Sequence, residues 1–324
     1  MLSTEILEEF SNITNNEAYL KAFCKRVLMP NQQGGTSDPY LGNNQRKEFI
    51  PSLRQFVQQL PQQPHIFDIG GGNGEIVELA IHQYAPKGTQ LSVEEPHQDM
   101  LNDYIQRLEK YGMGKGEFFS CPIQDLYHRN LETPCDLILG IHMIYHLTDW
   151  RDANADPTAD LKQFFRFLYE QLKPGGKLFI VYADQEKGFA GQVGVDYFRQ
   201  HHSTQMANQL RALYRARNQL MLEGELLADL NHHYSFNQAT LQQKVLPSRF
   251  YGQTIDDLAA MALVGEMIPS NDNPFDIEKV YCAKAFLERH GKQFSLMQEH
   301  EEGPREGMWG VNQPQVVCIL TKQK

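Results

Sequence analysis

One segment constrains this chain more than any other. His65-Ile66-Phe67-Asp68-Ile69 runs directly into Gly70-Gly71-Gly72-Asn73-Gly74-Glu75, and Leu91-Ser92-Val93-Glu94-Glu95-Pro96 follows. An apolar run, a glycine-packed turn, a helix and a second strand ending on a carboxylate form the opening unit of a doubly wound α/β domain that holds an adenosine cofactor. Ile66, Phe67 and Ile69 suit a strand covered by helices on both faces, where continuous apolar runs replace strict alternation. Gly70, Gly71, Gly72 and Gly74 allow positive φ and close approach of a ligand to bare backbone.

The glycine spacing argues against a dinucleotide. That fingerprint needs G-x-G-x-x-G. Counted from Gly70, the third glycine position is Glu75; counted from Gly72, it is Val77. An acid at the mouth of a pyrophosphate site repels the ligand, so a cofactor without phosphates fits better. A single carboxylate accepting from both hydroxyls grips a ribose well. It should end the second strand, about 20 residues past the glycines. Glu94 and Glu95 both qualify, and alternation along a strand predicts that only one faces the ribose. Pro96 marks the strand end and favours Glu95, leaving Glu94 as a solvated carboxylate at a helix start.

Composition narrows the partners. The 324 residues carry 30 basic and 40 acidic side chains, a formal charge of −10. That balance disfavours nucleic acid, which calls for a basic footprint. The densest basic stretch, Arg211 to Arg217, reads as a solvated helix face. No apolar run approaches the ~20 residues of a membrane span. The acidic N-terminus is unlike a secretory or transit peptide. Cys24, Cys121, Cys135, Cys282 and Cys318 are scattered and odd in number, as in reduced thiols of a cytoplasmic protein. The adjacent pairs His201-His202 and His232-His233 lack the spacing of metal ligands on one helix face, and no metal is expected.

Periodicity divides the chain into four parts. Residues 1–60 read as an N-terminal helical cover, with Ile6 and Phe10, Tyr19 and Phe23, and a helix from Phe49 to Leu60, around a loop from Met29 to Asn44. Residues 61–186 read as the cofactor-binding core, with strands at 65–69, 89–94, 116–120, 135–141 and 177–183 and helices near 74–84, 97–111 and 159–172. Strands alternating with helices predict a mainly parallel sheet. Leu172-Lys173-Pro174-Gly175-Gly176-Lys177 reads as a helix end, a turn and re-entry into a strand. Residues 187–290 read as a helical insertion covering the substrate, and 291–324 as C-terminal strands that complete the sheet, with 293–299 and 315–322 as a hairpin.

Over 65–183 and the last strand, the chain resembles class I S-adenosylmethionine-dependent methyltransferases. The carriers are Asp68 to Glu75, Glu95, and Leu172-Lys173-Pro174-Gly175-Gly176-Lys177-Leu178. Within that class it is most similar to the histamine N-methyltransferase group, through Ile69 to Ile76, Glu95-Pro96, the segment Asp136-Leu137-Ile138-Leu139-Gly140-Ile141-His142-Met143-Ile144-Tyr145-His146-Leu147-x-Asp149, and Val311-Asn312-Gln313. The resemblance implies a seven-stranded, Rossmann-like doubly wound α/β sheet, S-adenosylmethionine as cofactor, and methylation of a small molecule, an amine above all. It places the Gly70 carbonyl on the amino group of the methionyl part, Gly71 and Gly72 along the cofactor, Glu95 on the ribose, Ile123 and Gln124 near adenine, and Ile141 beside the cofactor. It sets His142, Tyr145, His146 and Asn312 along the acceptor. The chain departs from that group at Gly42-Asn43-Asn44-Gln45, which lacks an amine-positioning acid, and at His142, which replaces a polar amide.

Methyl transfer is an in-line displacement in which positioning supplies much of the rate. His142 and Tyr145 are the candidate catalytic groups, since an imidazole titrates near neutrality and can take a proton. The structural alternative is a strand-end histidine hydrogen-bonded in place. Tyr19, Phe23, Phe189, Tyr197, Phe198 and Trp309 could form an aromatic lid, although aromatics at helical spacing more often form core. Two rival functions remain: O-methylation with His142 as base, and a cofactor-binding regulatory protein that engages a protein partner through its helical insertion.

Overall fold

A computed structural model of the chain describes residues 1–33, 38–148, 150–152, 154–235, 238–269 and 271–323. It divides into two compact units. One gathers residues 49–182, 216–245 and 316–324, the other 1–48, 183–215 and 246–315.

The first unit holds a seven-stranded mixed sheet with flanking helices, in the order β3-β2-β1-β4-β5-β10-β6. Its strands are β1 (His65–Ile69), β2 (Gln90–Glu94), β3 (Gly114–Phe119), β4 (Cys135–Ile141), β5 (Leu172–Ala183), β6 (Ala239–Leu246) and β10 (Gln315–Lys322). β1 is buried along its whole length, as its apolar run requires. It pairs in parallel with β2, Ile69 opposite Glu94, and with β4, Ile69 opposite Gly140. Strand order reverses between β1 and β4, so their carboxyl ends open the crevice in which such sheets bind ligands. Phe67, Ile69, Phe119, Ile138, Phe164, Leu168, Ile180 and Val316 belong to one buried core. The helix Pro157–Gln171 starts where Asp156 accepts from the amides of Thr158 and Ala159, with Pro157 in its first turn. Both features terminate and orient a helix locally.

Three expectations require correction here. Leu172 to Gly176 is no free turn: β5 begins at Leu172, and its pairing with β4 slips between Cys135–Leu172 and Leu137–Lys177. Gly175, at φ +82°, absorbs the extra residues as a bulge. The segment 187–290 is not wholly helical, because it contains β6 and β7 (Arg249–Gly252). β6 flanks β10 at the edge of the large sheet, so 315–322 and 293–299 form no hairpin together. The fully polar, exposed run Gln242-Gln243-Lys244 within β6 hides the strand from a reading based on apolar periodicity.

The second unit contains a three-stranded antiparallel sheet, β7-β9-β8, with β8 at Met297–Gln298 and β9 at Trp309–Asn312. Short helices surround it, among them Thr4–Phe10, Phe189–His201, Ile255–Met261 and Glu278–His290. Phe189, Phe286 and Phe294 pack ring to ring, and Phe189, Tyr197 and Phe198 are buried, so these aromatics are core of this unit. Tyr19 and Phe23 stack on each other at 6.0 Å. Residues 34–37 of the expected 29–44 loop lie outside the described residues; Arg305 ties its second half, pairing with Asp38 and donating to the carbonyls of Tyr40, Leu41 and Asn43. Among the described residues, no helix is long and apolar enough to cross a membrane.

Candidate functional site

The turn after β1 is built by positive φ at Gly70 (+61°), Gly72 (+56°) and Gly74 (+77°), conformations that L side chains rarely adopt. Gly71 has another reason to be glycine. A Cβ there would lie 2.8 Å from Cε2 of Tyr104 and 2.9 Å from Cγ1 of Val93. Around Gly72, by contrast, a Cβ would meet nothing within 4 Å, so space opens over the turn. The two positions therefore predict different outcomes. Gly71→Ala lowers the unfolding free energy by the overpacking penalty of about 1–3 kcal/mol, read as a lower denaturant midpoint; an unchanged midpoint contradicts the packing account. Gly72→Ala costs only the αL preference, about 1 kcal/mol, and acts on ligand binding instead.

Both glutamates reach this turn. Glu94 accepts the Gly70 N–H at 3.0 Å, and Glu95 accepts the Gly72 N–H at 2.9 Å and the His97 N–H at 2.9 Å. The expected alternation fails because Glu94 is the last strand residue and Glu95 lies beyond it, where the pleat no longer dictates direction. Nor is Glu94 solvated; it is 2% exposed. Asp68, at the end of β1, is equally buried and accepts from the Tyr104 hydroxyl at 2.9 Å. Three carboxylates thus crowd one turn. Burial, reinforced by Glu95 and Asp68, pushes the Glu94 carboxyl up to about 8 against the pull of the Gly70 amide. Burial likewise raises Asp68 to about 7, the Tyr104 hydroxyl opposing and Glu95 adding. Among the described residues, the groups acting on these two acids are amides, a phenol and other carboxylates, with no cation.

That arrangement has a chemical consequence. In a pyrophosphate site the amides of the glycine turn face the ligand. Here two of them are already taken by carboxylates, which also repel phosphate. The turn suits a ligand that brings positive charge and hydroxyl donors.

The remaining predicted residues fall as follows. Ile123 and Gln124 open the short helical turn Ile123–Leu126 after β3, Ile123 buried and Gln124 exposed. The backbone N–H of Ile123 also bonds Glu94, which links this turn to the acid cluster. Ile141 ends β4, half-buried. His142 follows it at φ +57°, its N–H donating to the Val181 carbonyl at 2.7 Å. Nδ1 of His142 lies 3.1 Å from the Tyr145 hydroxyl. Gly70 to Gly72, Glu94, Glu95 and Ile123 therefore form one group, and His142 with Tyr145 a pair just past the end of the adjacent strand β4. The side chain of His146, and Asp149, lie outside the described residues. Asn312 sits in β9 of the other unit, half-buried, donating to the Ser295 hydroxyl at 3.2 Å.

Two residues of this region escape the sequence pattern. Strand alternation alone points Glu94 away from the turn. Arg217 sits in a basic run that reads as a solvated face, yet it is 2% exposed. Its guanidinium lies 5.4 Å from the Tyr145 ring centroid and donates to the Tyr145 carbonyl at 3.3 Å. The apolar residues Leu213, Tyr214, Ala216, Leu220 and Met221 that flank it in sequence, all buried, are the signal that points it inward.

A sheet of this order, with a glycine turn at its switch point, is that of a Rossmann-like α/β protein. The chain belongs to the methyltransferase domain family, whose model matches residues 42–243. No curated protein matches it by sequence. Among solved structures it is similar to YcgJ from Bacillus subtilis (12% identity, 85% of this chain and 98% of that one, TM-score 0.49). It is also similar to the plantazolicin methyltransferase BamL, solved with a desmethylPZN analogue and SAH (11%, 84% and 82%, 0.40). A third is the O-methyltransferase TomG of Streptomyces achromogenes, solved with SAM (17%, 60% and 73%, 0.34). The family assignment rests on the matched model.

Proposed function

We propose that this methyltransferase takes its methyl group from S-adenosylmethionine and passes it to a small-molecule acceptor, in the first reading an amine nitrogen. The observation that carries the donor is the buried trio Asp68, Glu94 and Glu95. S-adenosylmethionine has a positively charged sulfur and an ammonium group but no phosphate, so it matches what the trio lacks. It supplies an electrophilic methyl on that sulfur.

In this reading Glu95 accepts from the ribose hydroxyls, and the carbonyl of Gly70, with the bare backbone of Gly71 and Gly72, receives the methionyl part. Ile123 and Gln124 border adenine, and Ile141 flanks the cofactor. Burial otherwise keeps Glu94 protonated, and the cofactor's positive charge favours its ionised form. His142 and Tyr145 border the acceptor. A net charge of −10 supports a small acceptor over nucleic acid. The second reading, transfer to a hydroxyl oxygen, is supported by the His142–Tyr145 hydrogen bond, since an oxygen nucleophile needs its proton removed.

The test is label transfer. The protein is incubated with methyl-labelled S-adenosylmethionine and fractionated metabolites, and the labelled product is identified. An N-methylated small molecule is the expected result, and an O-methylated one selects the second reading. Tight cofactor binding with no labelled product from any fraction contradicts both and favours a regulatory protein.

A further inference from the structure

We propose that Tyr145 takes the acceptor's proton, that Nδ1 of His142 is where the proton comes to rest, and that Arg217 is the positioning residue holding Tyr145 for this relay. The proposal rests on the methyltransferase reading and supplies its proton path.

His142 is a non-glycine residue at φ +57°, a conformation that persists only where the surroundings enforce it. The enforcing contacts include its N–H bond to Val181 at 2.7 Å and the edge of Phe49, with ring centroids 6.4 Å apart. Three residues on, in the turn Ile144–His146, Tyr145 lies nearly parallel to the imidazole, at 20°, with its hydroxyl 3.1 Å from Nδ1. Beneath the Tyr145 ring lies the buried Arg217 guanidinium, at 5.4 Å, which also holds the Tyr145 carbonyl. These are two points of attachment to one residue.

A cation over the ring face stabilises negative charge on the phenol oxygen and makes its O–H the better donor. Tyr145 therefore donates and Nδ1 accepts, which leaves the neutral imidazole's proton on Nε2. In that tautomer His142 does not face the acceptor as a base. The base is reached through the phenol. As methylation leaves one proton in excess on the acceptor atom, that proton bonds to the Tyr145 oxygen while the original O–H breaks and its proton moves to Nδ1. The phenol is restored, His142 becomes an imidazolium, and it later returns the proton to water. The relay serves a nitrogen or an oxygen acceptor alike.

Nitrogen-15 NMR of the histidine rings in the full chain reads the tautomer directly, with His142 assigned by the signal lost in His142→Asn. The expected wild-type state is a neutral ring with its proton on Nε2. Tyr145→Phe should replace it by a mixture of tautomers, Arg217→Met should do the same, and Arg217→Lys should restore the wild-type pattern. Tyr145→Phe removes a single oxygen, so it decides the matter even if loss of the buried guanidinium prevents folding. That variant should bind S-adenosylhomocysteine as tightly as wild type in calorimetry and turn over about 100-fold more slowly once an acceptor is in hand. A proton on Nδ1 in the wild type, or an unaltered His142 spectrum in Tyr145→Phe, overturns the relay and leaves the methyltransferase reading intact. Failure of the wild type to bind S-adenosylhomocysteine overturns that reading, and the relay with it.

Discussion

In calorimetry, Glu95→Ala should weaken S-adenosylmethionine binding by about 100- to 10,000-fold. The figure follows from charge-assisted hydrogen bonds worth about 1.5–3 kcal/mol each, two of which a ribose makes to one carboxylate, at 1.4 kcal/mol per tenfold. The same substitution strips the acceptor from the Gly72 and His97 amides, so the turn itself loosens. Glu95→Gln separates these effects: its amide oxygen can still take the Gly72 N–H, and its loss of affinity reports the ribose contacts and the charge. If Glu95→Ala binds as the wild type does, the ribose belongs to Glu94.

The second large effect concerns pH. Without cofactor, the wild type should lose stability as pH rises from about 5 to about 8, and Glu94→Gln should flatten that decline by about 2 kcal/mol. The sign follows from proton uptake. Burial, aided by Glu95 and Asp68, raises the folded Glu94 pKa from 4.5 to about 8. The native state therefore binds a proton that the unfolded chain has already released. This contribution is fully present below the unfolded pKa and disappears as pH passes through the folded one. Asp68, raised from 3.8 to about 7, acts in the same direction and keeps some slope in the variant. Melting temperatures across that range check the claim, and parallel curves for the two proteins contradict it. A cationic cofactor favours ionised Glu94, so saturating S-adenosylmethionine should reduce the wild-type decline as well.

The sheet's first half was legible because its signals are local. β1 and β4 coincide with their apolar runs at 65–69 and 135–141, since strands buried on both faces leave little else for such runs to be. The glycine turn was legible for the same reason. β6 was not, because an edge strand with exposed Gln242, Gln243 and Lys244 carries no apolar period. Its pairing with β10 joins segments some 75 residues apart, and no local pattern encodes that. Glu94 is hidden because strand alternation ends with it and does not reach Glu95. Arg217 is hidden because three arginines within seven residues look alike in a sequence; only packing shows which of them turns inward beneath Tyr145.

Carboxylates, rather than phosphates, sit on the amides of the glycine turn and so select a cationic adenosyl cofactor. Calorimetric titration of the wild-type chain with S-adenosylmethionine and, separately, with NAD decides whether they do. Saturable one-to-one binding of S-adenosylmethionine and no heat of binding for NAD are expected. Binding of NAD at comparable affinity, or no binding of S-adenosylmethionine, would contradict that selection.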